Sequence, residues 1–135
     1  HGRGLVQIQS PLALGDQNEP EPDVAIVPPG DYLDDHPQRA QLVIEVADSS
    51  LRKDRQLKAR LYAAASIPEY WIVNLKDWVV EVHTAPEGGQ YRNVVSLGAG
   101  ARLSPLSFAD LEIPVSAILP DGYRARPSTG EAEKQ

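Results

Sequence analysis

A six-residue apolar segment with a glutamate inside it constrains this chain more than any other feature. Residues 42–47 read LVIEVA, and a short apolar run of this kind is typical of a strand that is buried on both faces. Side chains alternate along a strand, so Glu45 shares a face with Val43 and Ala47. A carboxylate among apolar neighbours costs free energy unless a positive group offsets it. We therefore expect such a partner for Glu45.

The pattern around this segment predicts one long helix among several strands. An N-cap cluster at residues 48–50, Asp-Ser-Ser, opens a helix that runs to about Ser66. Five other segments have the apolar content or the alternation of strands, namely residues 4–9, 23–27, 70–75, 78–83 and 91–97. A two-residue turn at Lys76 and Asp77 is expected between the strands at 70–75 and 78–83. This order predicts an α+β fold, with a mixed sheet and a helix on one face.

Length and composition limit the classes of protein. The 135 residues fit one domain, which we expect over residues 1–120, followed by a flexible tail over 121–135. The absence of cysteine excludes disulfides and thiolate metal sites. No apolar run approaches the roughly 18–20 residues that span a bilayer, so we expect no membrane partner and, by default, a cytoplasmic location. The net charge of −6 argues against a partner held mainly by a global positive field.

A second acidic residue can meet Glu45 across the sheet. In the segment DVAIV, Asp23, Ala25 and Val27 share a face, and pairing with residues 42–47 would bring Asp23 towards Glu45. Two carboxylates this close repel each other unless something positive lies between them. Magnesium is a natural occupant, because it binds through one or two carboxylates together with water and substrate phosphate.

The predicted helix adds positive charge beside these acids. Its expected apolar stripe consists of Leu57, Leu61, Ala64 and Ala65. Asp54, Lys58 and Tyr62 are spaced four residues apart and follow one edge of that stripe. Positions 52–60 hold five basic residues, namely Arg52, Lys53, Arg55, Lys58 and Arg60. Such a set suits phosphodiester hydrolysis, in which a metal activates water and a lysine orients that water or stabilises the developing charge.

Each of these residues also has a purely structural interpretation. Glu45 could lie at a sheet edge or pair with a basic residue, and Asp23 could simply begin a strand. Asp54 and Lys58 could form a helix-surface ion pair, Tyr62 could be a core residue with a satisfied hydroxyl, and the basic run could be a solvated face. No histidine has metal-ligand spacing, and we expect all three to be structural or exposed: His1, His36 and His83.

Several segments of the chain resemble the Uma two family, a group of restriction-endonuclease-like proteins. They are EPEPDVAIV, LVIEVADSSLRKDRQLKARLYAAASIPEYWIVNLKDWVVEVH and GGQYRNV, within about residues 5–119. The motifs are a Pro-Asp pair, a Glu-Val pair after an apolar run, an Asp-x-x-x-Lys-x-x-x-Tyr helix and a Pro-Glu-Tyr-Trp-Ile-Val strand. The resemblance implies the PD-(D/E)XK nuclease core, a mixed central sheet flanked by helices. Family members usually begin with a further helix and an acidic strand entry, so we expect this chain to be shortened at its N-terminus.

The resemblance also implies a metal site. It assigns Asp23 and Glu45 as the two metal-binding catalytic acids, and the backbone carbonyl of Val46 as a third ligand. The implied cofactor is Mg²⁺ or Mn²⁺.

The same resemblance places the catalytic lysine on the helix. In the usual nuclease pattern a lysine stands two residues after the second acid, but that position is Ala47 here. The family's helix lysine corresponds to Lys58. Its helix aspartate and tyrosine correspond to Asp54 and Tyr62, which are expected to support the metal or the lysine.

These inferences predict a magnesium-dependent endonuclease that acts on nucleic acid, with DNA as the expected substrate. Backbone phosphates are expected to contact Arg52, Lys53, Arg55 and Arg60. The alternative is a catalytically silent nuclease fold that serves as a binding module, or as a homodimer built on an exposed hairpin with Trp71 and Trp78.

Overall fold

The computed structural model describes residues 4–14, 20–30, 32, 36–47 and 51–119, and for residues 51–55 it describes the backbone alone. The strands within these ranges are β1 (Leu5–Ile8), β2 (Val24–Val27), β3 (Leu42–Ala47), β4 (Glu69–Asn74), β5 (Val79–Glu87), β6 (Gln90–Leu97), β7 (Arg102–Leu103) and β8 (Ile113–Pro114). The helices are α1 (Leu51–Ala64) and the short α2 (Val115–Ile118), with one 3-10 turn at Leu106–Phe108. The expected helix cap at 48–50 and the expected tail at 121–135 lie outside the described residues.

The main sheet has six strands in the order β1-β2-β3-β4-β5-β6. Only β3 and β4 run parallel, and all the other neighbouring pairs are antiparallel. A parallel pair needs a crossover connection, and α1 supplies it between β3 and β4. The expected mixed α+β sheet with a helix on one face is therefore confirmed. Neither helix in the described part of the chain is long and apolar enough to cross a membrane.

Two apolar clusters cover the two faces of this sheet. The cluster beneath α1 contains Val43, Tyr62, Ile67, Tyr70 and Ile72 together with Leu12 and Ala25. The cluster on the opposite face is closed by the C-terminal segment and contains Leu42, Trp71, Val73, Val80, Leu103, Val115 and Leu119. Strand β4 lies between the two clusters, and all six of its residues are buried. This explains why its sequence is nearly continuous in bulky residues rather than alternating.

The face that α1 turns towards the sheet differs from the expected apolar stripe. Leu57 is 56% exposed, and Ala64 is exposed as well. The buried positions are Tyr62 and Ala63, with Ala59 packed against the same core. These three residues also have i, i+3, i+4 spacing. Of the four predicted stripe residues, Ala65 does pack against this core, but the prediction was wrong for Leu57 and Ala64, because the helix is rotated so that Tyr62 enters the core.

The turn between β4 and β5 is longer than expected. It comprises residues 75–78 instead of the two-residue turn at Lys76 and Asp77. The side chain of Asn74 stabilises it, because its Oδ1 accepts hydrogen bonds of 3.0 Å from the backbone N–H groups of both Lys76 and Asp77. Trp78 adopts a positive φ of 63°. In a two-residue turn at 76–77, Trp78 would already be a strand residue and would not need a positive φ.

Trp71 is not part of the exposed hairpin surface that the alternative, a homodimer, would use. It is 1% exposed, and its Nε1 donates a 2.7 Å hydrogen bond to Oε2 of Glu69. The other carboxylate oxygen of Glu69, Oε1, accepts a 2.8 Å bond from the backbone N–H of Leu106. Glu69 thus ties β4 to the C-terminal segment, and the expected surface lacks one of its two tryptophans.

Replacing Glu69 by glutamine should destabilise the fold by about 2–3 kcal/mol, because the amide nitrogen would face a buried donor and leave it without an acceptor. Chemical denaturation followed by tryptophan fluorescence measures this. The control is Glu87→Gln, which changes a carboxylate whose side chain is 70% exposed and should shift the free energy of unfolding by less than about 0.5 kcal/mol. Equal effects of the two substitutions would contradict the assigned role of Glu69.

Candidate active site

Glu45 is buried, 7% exposed, and both of its carboxylate oxygens are held by α1. The ammonium nitrogen of Lys58 lies 3.0 Å from Oε1. The hydroxyl of Tyr62 donates a 2.7 Å hydrogen bond to Oε2. Lys58 and Tyr62 are one helical turn apart, so a single edge of α1 supplies both donors. The expected positive partner of Glu45 is therefore the amine of the following helix.

Asp23 lies just before β2, beside Glu45 on the neighbouring strand. Strand β2 pairs with β3 so that Val24 is opposite Ile44, and continuing this register by one residue places Asp23 opposite Glu45. Oδ2 of Asp23 accepts a 2.7 Å hydrogen bond from the backbone N–H of Val46. That bond fixes the aspartate against β3 at the position expected from side-chain alternation.

The backbone of Val46 points towards Asp23. The carbonyl of Ala47 accepts a 2.9 Å bond from the N–H of Leu75 on the β4 side, whereas the N–H of Val46 points to the β2 side. The N–H and C=O of one strand residue project to the same side of the strand. The carbonyl oxygen of Val46 therefore also projects towards Asp23, as the expected metal ligand must.

Tyr62 is a neutral donor in this site. It is fully buried, and its ring lies 4.9 Å from that of Tyr70, measured between centroids. Burial raises the pKa of Tyr62 far above its ordinary value, and the negative charges of Glu45 and Asp23 raise it further. The hydroxyl consequently keeps its proton at neutral pH and serves as a fixed hydrogen-bond donor to Glu45.

Of the other predicted helix residues, Arg60 is the one whose side chain the structure describes. Arg60 is exposed and lies away from Glu45, at a cavity over β5 and β6. The side chains of Arg52, Lys53, Asp54 and Arg55 lie outside the description, although their backbone belongs to α1. Their expected roles with phosphate, metal or Lys58 stay predictions.

The oxygen groups at this position suit one hard divalent cation. Glu45 and Asp23 contribute carboxylates, Val46 contributes a carbonyl, and Oδ1 of Asp23 accepts no hydrogen bond from any described residue. A carboxylate has about four lone-pair sites, so the bonds from Lys58 and Tyr62 leave Glu45 further acceptor capacity. Within the described ranges no three side chains of Asp, Glu, His or Cys gather as metal ligands. The set therefore fits Mg²⁺, which keeps several water ligands, better than a metal that needs a complete protein cage.

Sequence reasoning missed a second buried polar cluster, on β4 and β5. Glu81 and His83 are 4% and 5% exposed, and the side chain of Asn74 donates a 3.0 Å bond to Oε2 of Glu81. The signal was present in the segment WVVEVH, in which Glu81 interrupts an apolar strand just as Glu45 does in LVIEVA.

The mixed six-stranded sheet and the α1 crossover between β3 and β4 form a restriction-endonuclease-like fold, with Asp23 just before β2 and Glu45 within β3. Five chains of solved structures match it. One is described as a putative nuclease belonging to DUF820, from Anabaena variabilis ATCC 29413. It has a TM-score of 0.67 and 13% sequence identity, and the match covers 85% of this chain and 67% of that one.

The chain belongs to the Uma2 family, whose description reads "Putative restriction endonuclease". The family match extends over residues 1–116. No relative was found among curated proteins. The family and the fold expected from the sequence motifs are thus both confirmed.

The buried Tyr62 should make the stability of the protein fall at high pH. An unfolded tyrosine loses its proton near pH 10.0, whereas the pKa of folded Tyr62 is raised, so its contribution is complete below pH 10 and declines as the pH rises further. Each such tyrosine adds a slope of up to about 1.4 kcal/mol per pH unit to the free energy of unfolding. Urea denaturation of Tyr62→Phe between about pH 10 and 12 should give a free energy of unfolding that falls with pH less steeply than in the wild type, by up to that amount. Identical slopes in the two proteins would mean that Tyr62 ionises freely.

Proposed function

We propose that this protein is a metal-dependent endonuclease that hydrolyses phosphodiester bonds of nucleic acid, with DNA as its substrate. The observation that carries the proposal is the joint position of Glu45, Lys58 and Asp23. A buried carboxylate lies 3.0 Å from a lysine, and a second carboxylate is fixed one strand away. Membership of the Uma2 family supports the same chemistry.

Asp23, Glu45 and the carbonyl of Val46 would hold Mg²⁺ or Mn²⁺. When bound, the metal would lower the pKa of a water ligand and offset negative charge on the phosphate. The two carboxylates would hold the ion where the start of β2 lies beside the end of β3. Asp23 is only partly buried, so a polymeric substrate would approach from its side, whereas the Glu45 carboxyl is sheltered.

Lys58 is suited to act on the phosphate or on the attacking water. Its side chain is 44% exposed although its amine touches a buried acid, so the amine stands at the boundary between the site and solvent. A lysine is a compact positive charge on a flexible stem, and it can keep one contact with Glu45 while donating a second hydrogen bond outwards. Charge placed in this way stabilises the negative charge that develops on the phosphoryl oxygens.

Tyr62 would position Glu45 rather than touch the substrate. Its hydroxyl bonds Oε2, and its ring is packed in the core, so it restricts the rotation of the carboxyl group. Oε1 is thereby directed towards Lys58. The helix lysine would take the place of the one usually found two residues after the acid, a position held here by Ala47, which packs against the core beneath α1.

The remaining basic residues of α1 would bind the nucleic-acid backbone. We propose this role for Arg52, Lys53 and Arg55, which precede Lys58 in the helix, and for the exposed Arg60. Contacts of this kind act through counterion release, so binding should weaken steeply with added salt.

Nicking of supercoiled plasmid in Mg²⁺ or Mn²⁺ should therefore depend on the site residues. Glu45→Gln removes the charge of a proposed metal ligand and Lys58→Ala removes a charge-stabilising group, so each is expected to slow nicking by at least about 100-fold. Circular dichroism and melting curves establish that each variant is folded.

Two surface substitutions serve as matched controls. Lys76→Ala removes the same charge as Lys58→Ala from an exposed turn, and Glu112→Gln changes a carboxylate whose side chain is 69% exposed. Both should nick at the wild-type rate. If all the folded variants nick equally, or if nicking persists in EDTA, the proposed site is not the origin of the cleavage and a binding role for this fold is favoured.

A further inference from the structure

Helix α1 ends in a tight turn that involves the backbone of Tyr62. The N–H of Ile67 donates a 3.1 Å hydrogen bond to the carbonyl of Tyr62, and the N–H of Ser66 donates a 2.9 Å bond to the carbonyl of Ala63. These two bonds form the Schellman motif, in which the residue after the helix adopts a left-handed conformation. Ser66 has that conformation, with a φ of 60°. The residue that bonds Glu45 through its side chain thus also holds the end of the helix through its backbone.

The sheet fixes this turn at Ile67. The side chain of Ile67 is buried in the apolar cluster beneath α1. Its carbonyl accepts a 2.8 Å hydrogen bond from the hydroxyl of Tyr91, which belongs to β6. A half-buried tyrosine on an edge strand is therefore bonded to the segment directly after α1, 24 residues away in the chain.

Three hydrogen bonds in series connect Tyr91 to the proposed active site. The first joins the hydroxyl of Tyr91 to Ile67, and the second joins the N–H of Ile67 to the carbonyl of Tyr62. The third is the 2.7 Å bond from the hydroxyl of Tyr62 to Oε2 of Glu45. A shift of Ile67 would move the backbone of Tyr62 and change the direction from which its hydroxyl meets the acid.

Aromatic rings make a second connection between the same residues. The ring of Tyr70 on β4 lies 4.9 Å from that of Tyr62 and 6.2 Å from that of Tyr91, measured between centroids. Both distances are within the range of aromatic pairs that attract each other. Tyr62 and Tyr70 are buried, and close packing leaves buried rings little room to shift. These ring contacts should keep the protein folded when the hydroxyl of Tyr91 is removed.

The backbone of Ser66 indicates that this turn is held in place for function as well as for stability. Glycine is the usual residue at this position of a helix end, because other side chains are strained there. Strained backbone persists where surrounding contacts over-determine it, and it is found preferentially near active sites. The bond from Tyr91 to the next residue, Ile67, is a contact of this kind.

We propose that Tyr91 is a positioning residue of the active site, which holds Ile67 and thereby fixes Tyr62 and the carboxylate of Glu45. The inference rests on the proposed nuclease function and adds a residue of β6 to it. A displacement of about 1 Å, caused far from the reacting atoms, can slow an enzyme about 100-fold. The hydroxyl of Tyr91 therefore influences metal binding and rate without touching the metal or the substrate.

Tyr91→Phe tests this, because it removes the hydroxyl and keeps the ring. In the metal-free protein the amide of Ile67 should exchange its hydrogen about five- to tenfold faster, as expected when one hydrogen bond that fixes the turn is lost. Calorimetric titration with Mn²⁺, without nucleic acid, should show about tenfold weaker binding, a usual loss when a group that orients a metal ligand is disturbed. Plasmid nicking at saturating Mn²⁺ should be about 10- to 100-fold slower.

A double-mutant cycle with Tyr62→Phe separates positioning from a general loss of stability. If Tyr91 acts through the hydroxyl of Tyr62, Tyr91→Phe should not weaken Mn²⁺ binding any further in a protein that already carries Tyr62→Phe. Two independent structural effects would instead multiply.

Tyr32→Phe is the matched control, because the hydroxyl of Tyr32 also donates to a backbone carbonyl, that of Pro28, at 2.6 Å. It should leave Mn²⁺ affinity, exchange of the Ile67 amide and nicking unchanged. The proposal is overturned if the folded Tyr91→Phe variant matches the wild type in Mn²⁺ affinity or in Ile67 exchange, if the effects in the cycle multiply, or if Tyr32→Phe weakens Mn²⁺ binding equally.

The same measurements distinguish this inference from the proposed function. A wild-type protein that binds Mn²⁺ and nicks, with a Tyr91→Phe variant that matches it, contradicts this inference alone. A wild-type protein that neither binds Mn²⁺ nor nicks contradicts the proposed function, whereas the exchange of the Ile67 amide still decides whether Tyr91 holds the turn.

Discussion

The burial of Glu45 in β3 is the constraint on which the rest of the structure depends. A carboxylate at 7% exposure needs strong donors, and the recorded ones both come from α1, 13 and 17 residues further along the chain. Because Lys58 and Tyr62 lie on one edge of the helix, their two bonds determine how α1 is rotated over the sheet. Residues of a helix are separated by about 100°, so turning Lys58 and Tyr62 towards β3 brings Ala59 and Ala63 onto the sheet and leaves Leu57 facing away.

This arrangement is poorly explained by stability alone. A buried ion pair is often no more stabilising than well-packed apolar residues of the same size, although losing one partner costs about 3–5 kcal/mol. The chain nevertheless exposes Leu57 in order to bring Lys58 and Tyr62 to Glu45. A sequence selected for packing alone would place leucine against the sheet. Leu57 loses apolar burial close to a second carboxylate, Asp23. A local departure from good packing of this kind is expected at a functional site such as the one proposed.

The parts of the fold that follow from local patterns could be predicted, and the parts that depend on long-range packing could not. Alternation along β2 and β3 placed Asp23 and Glu45 on one face, and the spacing of four residues placed Lys58 and Tyr62 together. The rotation of α1 was mispredicted because hydrophobicity favours Leu57 as a core residue, whereas the bonds to Glu45 decide the orientation. Burial of Trp71 depends on Glu69 and on a segment more than thirty residues away, so no local pattern reports it.

The proposed site requires that Asp23 and Glu45 hold one divalent cation beside Lys58. The most direct measurement is a crystal structure of the protein with Mn²⁺, with anomalous scattering used to locate the ion. One anomalous peak is expected, with oxygens of both carboxylates at about 2.0–2.3 Å and with the Lys58 amine still next to Glu45. Carboxylates that face apart, or an ion bound elsewhere while the position between Asp23 and Glu45 stays empty at millimolar Mn²⁺, would contradict the proposed site.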